Sequence, residues 1–167
     1  MRALVLSALA ALVADQASKL AVIHGLDLRN RVEFDVIDPL LNFRWAENRG
    51  VNFGLLAGHS EITRWLLIVL AVAISAWVIR WAMKDRFGLW GMISAGLLVG
   101  GAAGNVIDRI VYGYVADFLN MSCCGIENPY AFNVADIAIF AGAVGLVLFT
   151  GKGKGETGKS GKATRKV

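Results

Sequence analysis

The chain has 167 residues, a length that favours one domain, and 56% of its residues are hydrophobic while only 18% are charged. Soluble domains carry about 25% charged and about 45–50% apolar residues, so this composition argues against an ordinary soluble protein. The net charge of +4 comes from basic residues at the ends of apolar blocks and in the C-terminal tail, which form no continuous face. We therefore expect no nucleic acid partner.

Four apolar blocks predict four transmembrane helices, because about 20 residues are needed to cross the hydrocarbon as a helix. They cover residues 3–23, 62–82, 87–107 and 132–150. The first block follows Arg2 and resembles a secretory signal peptide, but no small-residue cleavage site closes it. Asp15 and Lys19 lie where that site would fall, so a retained first helix is the better interpretation.

The segments outside these blocks predict a small β-rich part and a disordered tail. In the first loop, 24–61, residues alternate between polar and apolar at 32–37 and 41–45, which is typical of short strands. Neither a metal site nor a disulfide framework is predicted for the adjacent Cys123 and Cys124. The Gly- and Lys-rich tail, 151–167, is predicted to be disordered and to contact anionic lipid. The predicted fold is all-α, with one four-helix transmembrane domain over 1–150 and a β-rich extracytoplasmic subdomain.

The distribution of basic residues predicts that both termini are cytoplasmic. Arg2, the short loop between the second and third blocks, and the tail hold most of the lysine and arginine on one side. With this orientation, the polar residues of the first, third and fourth blocks all lie in the outer half of the bilayer. They are Asp15, Lys19, Asn105, Asp108, Arg109, Asn133 and Asp136.

These polar residues predict either a site or a structural network, since each charge placed in a span costs about 2.5–3.5 kcal/mol. Asp15 and Lys19 are four residues apart, which favours a structural ion pair. Asp117 and Asp136, in contrast, lie in apolar stretches without a basic residue nearby. Two carboxylates that share one proton can act as base and acid, as in aspartic proteases. Proton or ion transport is an alternative use of the same carboxylates.

Five short motifs, in order along the chain, resemble the sequence boxes of lipoprotein signal peptidases, the signal peptidase II family. One such box is weakly specific, but five in order are highly specific. The resemblance covers residues 3–149. The boxes are DQASK at 15–19, NRGVNFG at 48–54, GGAAGNVIDR at 100–109, VADF at 115–118 and FNVAD at 132–136.

The resemblance implies an aspartic endopeptidase of the bacterial inner membrane, with its active site near the outer face. Its substrates would be prolipoproteins whose cysteine already carries diacylglycerol, and it would cleave just before that cysteine. The catalytic pair maps onto Asp117 and Asp136. Besides substrate and membrane lipid no partner is implied, a monomer is expected, and neither metal nor cofactor is needed. The supporting residues map onto Asp15, Lys19, Asn48, Gly50, Asn105, Arg109 and Asn133.

More detailed hypotheses concern substrate contacts. We expect Asn48 and Gly50 to hold the substrate backbone, and the first external loop to cover it through Phe53 or Trp45.

Two other functions stay open from the residues alone. A proton-coupled transporter would use Asp15 with the two aspartates, and a non-catalytic membrane scaffold would tolerate amides in their place.

Overall fold

The computed structural model describes residues 1–38, 40–50, 60–122 and 128–150. Three of the sequence predictions fall outside these ranges. They concern Cys123 and Cys124, residues 51–54 of the second box including Phe53, and the tail 151–167.

The described part of the chain is mainly helical, as the apolar blocks predict. Three apolar stretches are long enough to cross a membrane: Arg2–Gly25, Glu61–Lys84 and Leu89–Val111. The fourth apolar helix has 17 residues, which corresponds to about 25 Å and is shorter than the hydrocarbon core. The helices are α1 Arg2–Leu20 with a π-helical turn Ala21–Gly25, α2 Leu28–Arg31, α3 Ser60–Lys84, α4 Leu89–Val111 and α5 Val134–Thr150.

The fourth predicted span is therefore a helix, but a shorter one than predicted. Its predicted start, Phe132, lies in extended backbone and forms an isolated antiparallel bridge with Leu119. Asn133 then caps the helix, which begins at Val134. The sequence prediction placed the start of the helix too early, because the hydrophobic Phe132 extends the apolar block beyond the cap.

Helix α4 lies at the centre of the bundle and packs against α1, α3 and α5. Glycines allow this close packing. A Cβ added at Gly100 would overlap the Ala8 carbonyl of α1, and one added at Gly142 would lie 2.6 Å from the backbone nitrogen of Leu98 in α4. Gly100 thus lies on a close-packing face of α4, and small residues serve this purpose in membrane helices generally.

A three-stranded antiparallel sheet joins the two loops at one end of the bundle. The strands are β1 Glu33–Ile37, β2 Leu41–Asn48 and β3 Val115–Asn120, and β2 is central. The sequence predicts β1 and β2 by their alternation. It does not predict β3, because five of its six residues are buried and no polar–apolar alternation results.

The sheet brings the second loop into a fixed position beside the helix ends. Ala46 of β2 pairs with Asp117 of β3, and Phe118 packs in a small core with Leu28 and Val22. Phe132 bonds to the backbone of Leu119 and so connects the start of α5 to β3. The end of α4, the strand β3 and the start of α5 therefore meet at one place.

The close approach of α1 and α4 predicts that Gly100→Ala destabilises the protein. The added methyl would lie 2.8 Å from Ala8 Cα as well as overlapping its carbonyl, so the two helices must separate. We expect a loss of about 1–3 kcal/mol, the usual cost of overpacking, visible as a lower melting temperature in detergent. Gly25→Ala is the matched control, since a Cβ there has no neighbour within 4 Å. Equal melting temperatures for the two variants would contradict the packing described.

Candidate active site

Asp117 is a buried carboxylate that two asparagines hold. It lies on β3 and is only 3% exposed. Asn48 of β2 donates to its Oδ2 over 3.0 Å, and Asn133 donates to its Oδ1 over 2.5 Å. Because both carboxylate oxygens accept a hydrogen bond from a neutral side chain, the carboxyl group is held in position, and no described residue forms a direct ion pair with it.

Asp136 lies in the first turn of α5, where a capping box holds it. Asn133 Oδ1 accepts the backbone N–H of Asp136 over 3.0 Å, and Asp136 Oδ2 accepts the backbone N–H of Asn133 over 3.2 Å. Such reciprocal bonds satisfy two of the free amides at a helix start. Asn105 of α4 donates to the other oxygen, Oδ1, over 2.9 Å. The i,i+3 spacing of Asn133 and Asp136 thus reflects a helix cap as well as a shared face.

Asn133 and Asn105 connect the two carboxyl groups. Asn133 donates to Asp117 through its side chain and to Asp136 through its backbone, and it also donates to Asn105 Oδ1 over 3.3 Å. Burial and the charge of nearby Asp136 raise the pKa of Asp117 from 3.8 to about 6. Hydrogen bonds from Asn48 and Asn133 and the charge of Lys19 act in the opposite direction. Asp117 therefore holds its proton more tightly than a solvated aspartate.

An open cleft of about 730 Å³ leads to Asp117. Cavities of about 300–1,000 Å³ are usual for ligand sites. Asn48, Gly50 and Arg109 line the cleft with Asp117, and Arg109 also donates to the backbone carbonyl of Asn105 over 3.2 Å. The remaining lining residues are Ala46, Glu47, Arg49, Leu67, Pro129, Tyr130 and Ala131.

Gly50 occupies a position in the cleft wall that other residues would not fit. Its φ of +108° lies in the region that favours glycine. A Cβ there would also lie 2.8 Å from Thr63 Cγ2 and 2.9 Å from Leu67 Cδ1 of α3. Asn48 Oδ1 accepts the Gly50 backbone N–H over 3.1 Å, so this turn is tied to the residue that holds Asp117.

A second polar cluster lies buried beside the two aspartates. Lys19 Nζ is 2.7 Å from Asp15 Oδ2 and 2.8 Å from Asp108 Oδ2. Asp15, Lys19 and Asp108 are 0%, 3% and 0% exposed. The expected ion pair between Asp15 and Lys19 is present, but it has a third member on α4.

The structure brings every predicted site residue to this end of the bundle. Asn48, Asn105 and Asn133 contact the aspartates directly, Gly50 and Arg109 line the cleft, and Asp15 and Lys19 lie in the buried cluster. Asp108 was predicted only to lie at this depth, and no role was predicted for Gln16, which donates to Asp108 Oδ1 over 3.0 Å. Their presence in the first and third boxes was the available signal.

Within the described residues, no group of three or more His, Cys, Asp or Glu side chains is arranged to hold a metal ion.

The fold and the site together define a class of protein: a polytopic membrane protein with paired carboxyl groups at one end of its helices.

Comparison with known proteins identifies the family. The family model described as signal peptidase (SPase) II matches residues 7–151. The lipoprotein signal peptidase of Neisseria gonorrhoeae is 43% identical over 141 residues, which are 84% of this chain and 84% of the relative. That of a Methylobacterium species is 42% identical over 153 residues, 90% of this chain and 91% of the relative.

Two solved structures, each described as a bacterial membrane enzyme, share the fold. One has a TM-score of 0.74 at 26% identity and covers 94% of both chains. The other has a TM-score of 0.75 at 27% identity and covers 89% of this chain and 92% of its own. The chain belongs to the signal peptidase II family. The recognition made from the five boxes is confirmed, and with it the enzyme class, a multi-pass aspartic peptidase of a bacterial membrane.

The raised pKa of Asp117 predicts how stability depends on pH. Because the folded state holds this proton more tightly than the unfolded chain, the contribution of Asp117 is fully present below about pH 4 and is lost as pH rises through about 6. We expect Asp117→Asn to remove this dependence, which amounts to about 2–3 kcal/mol for a shift of this size. Thermal unfolding in detergent from pH 4 to 7 measures it. Parallel curves for wild type and variant would show that Asp117 has an ordinary pKa.

The capping box predicts different stabilities for two variants at Asn133. Asn133→Ser retains a side-chain oxygen for the first turn of α5, whereas Asn133→Ala does not, and both lose the donor to Asp117. Loss of an N-cap costs about 1 kcal/mol, so the alanine variant should melt at a lower temperature than the serine variant. If serine melts no higher than alanine, the cap does not stabilise α5.

Proposed function

We propose that this peptidase removes the signal peptide of prolipoproteins whose cysteine already carries diacylglycerol, and that it cleaves just before that cysteine. The names of the relatives, lipoprotein signal peptidases, support the choice of prolipoproteins. The sequence boxes support lipidation of the cysteine, because they resemble those of enzymes that act on the lipidated form.

Asp117 and Asp136 are the catalytic pair in this proposal. The single observation that carries it is their connection through Asn133, which bonds Asp117 by its side chain and Asp136 by its backbone. Two carboxyl groups held next to each other cannot both ionise cheaply, so one keeps a proton. The raised pKa of Asp117, about 6, has this cause in part. One ionised and one protonated carboxyl is the state that peptide hydrolysis needs.

The reaction then follows the general acid–base pattern. The ionised carboxylate takes a proton from water while the water oxygen attacks the scissile carbonyl carbon. The protonated carboxyl gives its proton to the carbonyl oxygen, and a tetrahedral diol forms. When the C–N bond breaks, the amine takes a proton from the carboxyl that received one from water. A hydroxyl of the diol returns its proton to the other carboxylate, which restores the starting state of the pair, and the new carboxyl terminus leaves with the signal peptide.

The neighbouring asparagines keep both carboxyl groups in place for this exchange. Asn48, Asn105 and Asn133 have side-chain amides and cannot compete for the proton. Asn48 contacts Asp117 itself, which supports a role in orienting the carboxyl group. Its predicted bond to the substrate backbone stays a prediction.

The cleft supports a place for the substrate near the scissile bond. On one side of the cleft the turn at Gly50 lies against α3. The absence of a Cβ lets the chain approach Thr63 and Leu67 there. Arg109 brings a cation to the cleft and contacts the carbonyl of Asn105. We assign Arg109 to neutralising charge near the tetrahedral diol and to positioning the aspartate pair.

The position of the site supports processing at the outer membrane face. Both termini are assigned to the cytoplasm because of the basic residues at that side. The end of α4, the start of α5 and the sheet then lie outside, at the depth of lipid headgroups. Residues 1–150 form one peptidase domain in this proposal, and the enzyme acts as a monomer.

The aspartate assignment predicts that Asp117→Asn and Asp136→Asn each lower kcat by at least about 10²–10⁴-fold, the usual contribution of acid–base groups. The measurement is cleavage of a purified diacylglyceryl prolipoprotein in lipid, with the same prolipoprotein unlipidated as a second substrate. Asp85→Asn is the matched control, because Asp85 is exposed just beyond α3, next to the loop that joins α3 to α4.

Each result has a distinct meaning. Full activity in either aspartate variant, with the fold intact, would refute the pair. Equal cleavage of both substrates would refute the requirement for lipid. If wild type cleaved neither, proton flux in liposomes would become the relevant assay.

A further inference from the structure

Two carboxylates outside the catalytic pair hold the backbone directly next to it. Asp15 Oδ1 accepts the backbone N–H of Ala135 over 2.9 Å, and Ala135 precedes Asp136. Asp108 Oδ2 accepts the backbone N–H of Ala116 over 3.2 Å, and Ala116 precedes Asp117. The two proposed catalytic aspartates, on different elements and in different parts of the sequence, are thus anchored in the same manner.

Lys19 joins these two anchors. Its Nζ lies 2.7 Å from Asp15 Oδ2 and 2.8 Å from Asp108 Oδ2, so one ammonium group contacts both carboxylates. Gln16 bridges the same pair, since its Nε2 donates to Asp15 over 3.2 Å and to Asp108 over 3.0 Å. A continuous chain of charge-assisted bonds therefore connects the backbone N–H of Ala135, next to Asp136, with the backbone N–H of Ala116, next to Asp117.

The bond from Asp15 is also favourable for α5 itself. Ala135 is the second residue of α5, and free amides at a helix start attract a negative charge. Asp15 therefore holds the α5 terminus as a bound anion would. Asp108 holds β3 by a single hydrogen bond from the backbone N–H of Ala116, a strand residue that pairs with Glu47 of β2.

Burial separates this cluster from the substrate. Asp15, Lys19 and Asp108 are at most 3% exposed, whereas the cleft at Asp117 is lined by other residues. Charge at these positions is costly in a membrane protein, so the cluster requires a role that packing alone does not supply. Its bonds lead to the aspartate backbones and, over 3.4 Å from Lys19 Nζ, to Oδ1 of Asn105, which does not line the cleft.

We propose that Asp15, Lys19 and Asp108 are positioning residues that set the separation of the catalytic carboxyl groups. Lys19 fixes the distance between the two carboxylates, and each carboxylate fixes the backbone of one aspartate. This inference rests on the proposed catalytic role of Asp117 and Asp136. It gives Asp108 a role in placing Asp117 in addition to its structural contacts.

A positioning role has a kinetic signature. The cluster does not reach the substrate, so its loss should leave KM unchanged. The alignment of the reacting groups should suffer, and misplacement by about 1 Å can cost about 10²-fold in rate. We therefore expect kcat and kcat/KM to fall together, which is typical of an interaction needed only in the transition state.

The test uses the double variant Lys19→Met/Asp108→Asn in the full-length enzyme. It keeps one buried carboxylate, Asp15, and thus the formal charge of −1 that the two carboxylates and one ammonium carry in the wild type. The amide introduced at position 108 still offers an oxygen to the Ala116 N–H, so each anchor keeps an acceptor. The variant removes the ammonium link between the anchors and leaves the neutral Gln16 side chain between them. Asp108→Asn alone, which leaves the Lys19–Asp15 pair, is the milder second variant, and Asp85→Asn is the control.

Two readouts decide the proposal. We expect kcat on the diacylglyceryl prolipoprotein to fall about 10–100-fold with KM within about two-fold. Hydrogen exchange should also become faster at the Ala116 and Ala135 amides, because the acceptors are no longer held by the ammonium group, and this change needs no substrate. The single variant should show both effects more weakly, so the test survives a double variant that does not fold.

Other results overturn the proposal. Wild-type kcat in the folded double variant would show that the link is not needed. A raised KM with unchanged kcat would place the cluster in substrate binding, and unchanged exchange at both amides would show that Lys19 does not hold the anchors. Asp117→Asn and Asp136→Asn, assayed in parallel, separate the two hypotheses: if they remain active, the catalytic pair is wrong, whereas if only the cluster variants remain active, the positioning role is wrong.

Discussion

The contact of Lys19 with Asp15 and Asp108 is the interaction on which the rest of the site depends. It joins α1 to α4 inside the bundle, where charges are costly unless they are paired and hydrogen-bonded. Each carboxylate also accepts a hydrogen bond from Gln16 and one from a backbone N–H, which lies in α5 for Asp15 and in β3 for Asp108. One buried cation therefore connects two helices, a strand and the start of a third helix, and these include the elements that carry Asp117 and Asp136.

The asparagines form a second layer on this foundation. Asn105, Asn133 and Asn48 each contact an aspartate, and they lie on α4, at the cap of α5 and on β2. Amides suit this position, because they donate to a carboxyl group in either protonation state and do not titrate. In the proposed mechanism the charged cluster fixes the backbone and the neutral layer orients the carboxyl groups, so that the shared proton stays with the aspartates.

A small sheet in a helical membrane protein has a clear purpose here. Asp117 lies beyond the end of α4, where a loop would allow it to move. Pairing of β3 with β2 removes this freedom, and Phe118 anchors the strand in the small core with Leu28. The same pairing brings Asn48 to Asp117, so the sheet supplies both the rigidity and a ligand of the carboxyl group.

Hydrophobic length and short motifs are local properties of the chain, and they predicted the three long membrane helices and the family. They also indicated polar residues that the structure brings together at one end of the bundle. Alternation likewise indicated β1 and β2. The strand β3 depends on tertiary contacts, because it is buried and shows no alternation. The start of α5 is partly local, since its cap joins Asn133 to Asp136, and partly tertiary, since Phe132 pairs with Leu119. The part played by Asp108 was also hidden, since its partners Lys19 and Ala116 come close only when α1, α4 and β3 pack together. Local patterns report which residues are polar and at what depth, but the bonds between them form between segments far apart in the chain.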